Sequence, residues 1–261
     1  LIGTVYPIFL EVLTTEKISI GPPFFNKLII PFLVFFLIIM SIGPNLHWIK
    51  FKKVRIKFQF IVLFIISLLI SFILSKSFGS KNLINSILIF ASFYLFFVTI
   101  SDFFVKDFFN YSQKLSHFGF SLLVLSILLN SIFSSEIVTN LKIGEKITFK
   151  NETISFDSIE KKINKNYESI IGNFIITNQK KNYIQLNPEL RIYNQPVTIT
   201  SEADIRTTLF EDKFLVMNLV QGNDYFNIRY QIKPFMIWIW LSVIIMSMGG
   251  ILSLYKRIHE K

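Results

Sequence analysis

The stretch LSHFGFSLLVLSILLNSIF, residues 115–133, decides the fold. It is apolar along almost its whole length, long enough for a helix to cross a bilayer core of about 30 Å, and followed at once by the polar Ser134-Ser135-Glu136. One titratable side chain, His117, interrupts it. Ionisable groups are costly in hydrocarbon and persist mainly where something binds them, so His117 is the first candidate for a functional site.

Outward from this run, four more stretches have spanning length: Leu28 to Trp48, Phe58 to Ser75, Leu83 to Ser101 and Phe235 to Tyr255. The chain is 52% hydrophobic with a mean hydropathy of +0.52, too apolar for an ordinary soluble domain. Its 30 Phe, with many Ile, Asn and Lys, look like the translation of an AT-rich genome, so Phe-rich stripes carry little weight. The expected fold is an α-helical integral membrane protein of about five transmembrane helices with an inserted, mostly β external domain. Residues 1–133 form the membrane region, 134–233 the external domain, and 234–261 a final span with a basic tail. Leu1 to Leu13 reads like the tail of a further span, and the chain is expected to be the C-terminal part of a longer protein, from a split gene or a truncation.

Basic residues set the orientation, since short cytoplasmic loops carry the Lys/Arg excess. Under strict alternation one side holds Lys50, Lys52, Lys53, Arg55, Lys57, Lys106, Lys114, Lys256, Arg257 and Lys261, ten residues against Lys17, Lys27, Lys76 and Lys81 on the other. The first side is expected to be cytoplasmic, or the matrix in a mitochondrion. Residues 134–233 would then lie outside, periplasmic or in the intermembrane space. That segment has 13 basic and 12 acidic side chains, so the net charge of +10 sits at membrane edges and no basic patch supports a nucleic-acid partner.

Within 134–233 the pattern alternates as strands do: Ile154, Phe156 and Ser158 against Ser155 and Asp157, then Phe226, Ile228, Tyr230 and Ile232 against Asn227, Arg229 and Gln231. Phe174–Thr177 with Tyr183–Leu186, and Phe214–Val220 with Tyr225–Ile232, read as hairpins. The expectation is an antiparallel barrel or sandwich whose last strand runs into the fifth span at Lys233-Pro234, with Pro in the helix's first turn. The absence of Cys excludes a thiolate metal site or thiol chemistry by the chain itself. No nucleotide-binding or zinc-protease pattern occurs.

Four motifs in order carry a resemblance. Ile18-Ser19-Ile20-Gly21-Pro22-Pro23-Phe24-Phe25-Asn26, Ser116-His117-Phe118-Gly119, Asn187-Pro188-Glu189-Leu190-Arg191-Ile192-Tyr193, and Lys233-Pro234 through Trp238-Ile239-Trp240 to Met248-Gly249-Gly250 resemble segments of the CcmF family, the haem lyase subunit of the cytochrome c maturation system. Ser116 stands for the family's Ala and Leu190 for its Lys. The resemblance implies thioether formation between haem vinyl groups and substrate thiols. Its implied partners are apocytochrome c, the haem chaperone CcmE, a CcmH-type subunit and a separately encoded N-terminal half carrying the family's tryptophan-rich segment and remaining haem-ligand histidines. The membrane is the bacterial inner membrane, or alternatively the mitochondrial one.

The resemblance also assigns His117 as an axial ligand to the iron of a haem b. On its helical face lie Phe120, Ser121 and Val124, and small Ser121 is expected to leave room for a flat macrocycle, with His117 one turn inside the cytoplasmic end. Arg191 has two readings: a structural ion pair, and contact with a haem propionate, since a guanidinium grips a carboxylate bidentately. Gly21-Pro22-Pro23 is either a breaker before a span or a rigid segment lining an entry for haem or apocytochrome. His47 beside Trp48 reads as an interface anchor, His259 as solvated, Trp238 and Trp240 as anchors, and Gly249-Gly250 as a close-packing site. The competing reading of the whole is a non-catalytic membrane scaffold for assembly factors, in which His117 only packs. A transporter is disfavoured by spans almost free of charge.

Overall fold

The computed structural model describes residues 2–14, 21–43, 58–78, 82–104, 111–179, 182–220, 222 and 224–259. It divides into two units, Leu1–Leu125 with Ser242–Lys261, and Ser126–Leu241. His47, Trp48, the basic 49–57 loop, Lys17 and Asn223 lie outside the described residues.

The first unit is helical. After α1 (Ile2–Thr14) come α2 (Pro22–Ile42), α3 (Phe58–Ser77), α4 (Leu83–Phe103), α5 (Tyr111–Phe133) and α6 (Met236–His259), the last two continuing into the second unit. Among the described residues, five helices, α2 to α6, have the length and apolarity to cross a membrane. At 1.5 Å per residue the 13-residue α1 reaches only about 20 Å. The first span begins six residues earlier than expected. Gly21 is its extended N-cap, and Pro22 and Pro23 start the helix instead of breaking the chain before it. Proline's missing N–H falls where a helix has no use for one, and its fixed φ suits the first turn.

Lipid is as apolar as leucine, so burial of large side chains gives these helices little reason to associate, and small residues carry the contacts. Ser71 Oγ donates to the Ser86 carbonyl at 2.6 Å between α3 and α4, and Thr99 Oγ1 meets Ser121 Oγ at 2.7 Å between α4 and α5. Leu37, Ala91 and Leu95 form a buried seam, with Phe120 and Val124 of α5 against it.

Between α5 and α6 the backbones nearly touch. A Cβ at Gly119 would stand 2.7 Å from Met246 N, and one at Gly249 would overlap Ser116 Oγ and stand 2.7 Å from Ser116 N, whereas Gly250 faces open space. Gly119→Val and Gly249→Val should each therefore cost about 1–3 kcal/mol by overpacking, and Gly250→Val far less. Thermal inactivation of the detergent-solubilised chain would separate them.

The second unit contains a sandwich in which every strand pair is antiparallel. One sheet has four strands in the order β1 (Ser135–Leu141), β10 (Phe226–Pro234), β9 (Glu211–Leu219), β8 (Asp204–Thr207). The other runs β2 (Lys146–Phe149), β3 (Glu152–Ile163), β4 (Tyr167–Asn178), β6 (Glu189–Asn194), β7 (Val197–Glu202), with β5 (Tyr183–Leu186) also paired to β4. Both expected hairpins form, β4 with β5 and β9 with β10. Ile154, Phe156, Phe174, Ile176, Leu186 and Leu190 close on Leu215, Met217, Ile228 and Tyr230. Phe156 stacks on Phe174 with centroids 4.3 Å apart.

Two local expectations are corrected. A bulge between Phe156 and Ser158 makes Asp157 the extra residue, so the alternation flips, Ser158 faces out and Ile159 takes the inner side. Pro234 is not in the first turn of α6: it is the last residue of β10, opposite Glu211, and Phe235 at φ 62° turns the chain into a helix beginning at Met236.

The core also holds a polar cluster. Lys213, 3% exposed, donates to Glu152 and at 3.3 Å reaches Glu211 Oε1, while the Tyr230 hydroxyl donates to Glu152 Oε2 at 2.6 Å. Burial and then the Glu152 hydrogen bond push the Tyr230 hydroxyl above its ordinary pKa, keeping its proton in place. On the surface, Glu136 accepts from Arg229 and Gln231, tying β1 to β10. The Arg229 hydrogen bond leads in holding the Glu136 carboxylate below its ordinary value. This clasp contributes above the ordinary carboxylate range and is lost as pH falls through the lowered value.

Candidate functional site

The turn of α5 that carries His117 packs against α4 and α2, with α6 against the neighbouring Ser116 and Gly119. α5 starts at Tyr111, so His117 is six residues, about 9 Å, inside its helix and deeper than the single turn expected. Successive helical residues turn by about 100°, which puts Phe118 to one side of His117 and Phe120 to the other. Phe118 is wedged against α4, 6.0 Å from Phe96 and 5.5 Å from Phe103. Phe120 meets Phe36 of α2 edge-on at 6.0 Å. His117 thus occupies the strip of α5 between its α4-facing and α2-facing contacts.

The imidazole is half-buried, and among the described residues no hydrogen bond reaches either ring nitrogen. Asp102, near the C-terminal end of α4, is within electrostatic reach of the ring. The Thr99–Ser121 contact sets the antiparallel register of α4 and α5 and brings Asp102 nearly level with His117. Asp102 is inconspicuous in the sequence because it stands at the margin of an apolar run, where acids are ordinary.

Ser121 corrects an expectation. It is fully buried, donates to the Phe118 carbonyl at 2.8 Å and meets Thr99, so it is taken up in the contact of α4 with α5. The fit to a haem rests instead on an imidazole nitrogen donor with no hydrogen-bond partner among the described residues, on a helix turn that also carries the apolar rings of Phe118 and Phe120. An imidazole of this kind is a standard axial ligand. Among the described residues no group of three His, Asp or Glu could chelate a metal ion. His259, the last residue of α6, is exposed and its Nδ1 lies 3.0 Å from the Tyr255 carbonyl.

Arg191 belongs to the other unit, on β6. Its guanidinium donates to Glu189 Oε2 at 2.9 Å, lies 3.9 Å from Glu202 Oε1, and covers the Tyr167 ring at 5.0 Å. The Glu189 hydrogen bond is the main influence raising its pKa still further. A propionate would have to compete with carboxylates already supplied by the chain.

Comparison with known proteins follows the same division. The family described as the CcmF C-terminal beta-sandwich matches residues 132–234. The cytochrome c-type biogenesis protein CcmF of Escherichia coli K12 is 25% identical over 269 residues, covering 100% of this chain and 42% of its own length. CcmF of Pseudomonas aeruginosa is 23% identical over 270 residues, covering 98% and 41%. A solved structure described as cytochrome c heme lyase CcmF superposes with a TM-score of 0.71 at 17% identity, over 96% of this chain and 42% of that one. The chain spans about two fifths of the length of these relatives. In sequence along nearly its whole length, and in its membrane helices with their inserted sandwich, the chain resembles the C-terminal part of CcmF.

Proposed function

We propose that the chain is the C-terminal portion of a cytochrome c biogenesis haem lyase subunit, acting in a bacterial inner membrane with its sandwich on the periplasmic side. His117 would hold the iron of a haem b. The observation that carries this reading is the half-buried His117 imidazole in a membrane span with no hydrogen-bond partner among the described residues, in a chain similar to CcmF proteins.

A bound haem would supply electron transfer to the iron of a second, incoming haem, whose vinyl groups take the thiols of apocytochrome c. This chain has no Cys, so both thiols come from the substrate, and the protein contributes ligation and orientation. His117 would offer its imidazole to the iron. Phe118 and Phe120 fix the turn of α5 that carries it by packing on α4 and α2, and Gly119 lets the same turn lie against α6. The second ligand, the contacts to apocytochrome c, to the chaperone CcmE and to a CcmH-type subunit are assigned to the N-terminal portion and to the sandwich. Arg191 is structural in this reading: Arg191→Ala should loosen β6 and leave haem content unchanged.

The test is the spectrum of the membrane complex purified through this chain. A low-spin b-type haem in stoichiometric amount is expected, and a complex active in maturation but free of haem b would leave the scaffold reading. Orientation is tested by impermeant thiol labelling of intact cells. Lys146→Cys, exposed on β2, should react and Arg257→Cys should be protected; the reverse pattern would overturn it.

A further inference from the structure

The hairpin tip between β8 and β9 has an unexpected composition. Thr208 organises it: its N–H and its Oγ1 both donate to the Glu211 carbonyl, at 3.0 and 2.7 Å, and its Oγ1 also accepts from Glu211 N at 3.1 Å. Between them the tip presents Leu209, 63% exposed, and Phe210, 71% exposed. Short hairpin loops favour Asn, Asp and Gly, which meet the backbone demands of the turn and its hydration. Turn formation does not explain two large apolar residues here, and an aqueous tip would be penalised for them.

The tip is bonded to the start of a membrane span. Phe235 N donates to the Phe210 carbonyl at 2.8 Å, and the Trp238 indole Nε1 donates to the Leu209 carbonyl at 2.9 Å. Asn130 of α5 donates to the Pro234 carbonyl at 2.6 Å, and Phe133 packs against Phe235. Trp240, 67% exposed, completes an aromatic group around the points where α5 ends and α6 begins.

The depth of this group follows from α6. Lys256 and Arg257 in its last turn mark one bilayer boundary. A hydrocarbon core of about 30 Å at 1.5 Å per residue takes roughly 20 residues, which puts the other boundary close to Met236. Phe235 and Trp238, to which the tip is bonded, flank that position.

We infer that Leu209 and Phe210 are a lipid anchor: the β8–β9 tip inserts at the bilayer interface beside the first turn of α6, its apolar side chains among the upper acyl chains and Thr208 toward the headgroups. The occupant is lipid because the tip continues an aromatic belt already in the membrane. Burying a Leu and a Phe there holds the four-stranded sheet to the membrane at a third point beside α5 and α6. This inference is independent of haem ligation by His117.

The chain has no native Cys, so nitroxide spin labels at Phe210→Cys and Leu209→Cys report the tip alone. Ile163→Cys, exposed at the far end of the 12-residue β3, is the aqueous reference. The full chain is reconstituted in phosphatidylcholine–phosphatidylglycerol vesicles, and collision with oxygen and with a water-soluble nickel chelate is read by power saturation. The expected oxygen-to-nickel ratio is several-fold higher at 209 and 210 than at 163. A ratio at 210 equal to that at 163 would overturn the anchor, and so would a label shielded from both reagents, which would mean a protein covers the tip.

Discussion

His117→Ala is expected to strip haem b from the purified complex and to abolish most cytochrome c maturation. On the proposed ligation, removing the imidazole takes away one of the iron's protein ligands, and Ala offers no donor in its place. Helix packing should survive, because the neighbours that hold α5 are Phe118 and Ser121 on α4, Phe120 on α2, and Gly119 on α6. Loss of haem with normal amounts of protein is therefore the signature of ligation. Imidazole added to the variant should refill the vacated position and recover part of both haem content and maturation, and His259→Ala should change neither. Full haem occupancy with an unaltered spectrum in His117→Ala would end the ligand assignment.

The second large effect is expected inside the sandwich. Glu152→Ala leaves the Lys213 ammonium, 3% exposed, with only Glu211, and leaves the Tyr230 hydroxyl without its acceptor. Breaking a buried ion pair from one side costs about 3–5 kcal/mol, and Glu211 should keep the loss near the lower end. Arg229→Ala removes a pair with Glu136 that is half exposed on both sides, for which about 0–1 kcal/mol is usual. Proteolysis of the sandwich within the intact 261-residue chain, followed against temperature, should show a drop of roughly 12 °C or more for the first, given about 4 °C or more per kcal/mol in a domain of this size. Equal behaviour of the two variants would refute the ranking.

The five spans, the presence of an inserted β domain and two of its hairpins were legible because each rests on local periodicity: long apolar runs, alternation, and polar turns between apolar strands. The start of α2 was misread because Gly21-Pro22-Pro23 has one composition and two meanings, a stop after one segment and a start for the next. The bulge at Asp157 escaped because alternation stays plausible one residue out of step. Spacing places Ser121 on the face of His117, but only the third dimension sets Thr99 opposite it and turns an expected gap into a helix contact. Glu152 and Lys213, 61 residues apart, look like surface charges in any window of sequence. His117 is conspicuous without a structure because it is a titratable side chain inside a long apolar run.

The pairing of β1 with β10 has a consequence for how the protein is made. Ser135, one of the first residues of the insert to emerge, finds its partner in Ile232, at its very end. At about 5–20 residues per second of synthesis, β1 waits several seconds or more for the strand that covers it. The sandwich cannot close until the chain has reached the threshold of α6, so completion of the domain and insertion of the last helix fall in the same moment of biosynthesis. In the interval β1 stands without its partner strand, the state in which a nascent chain is most prone to pair wrongly, and the interval in which a holding factor outside the membrane would matter most.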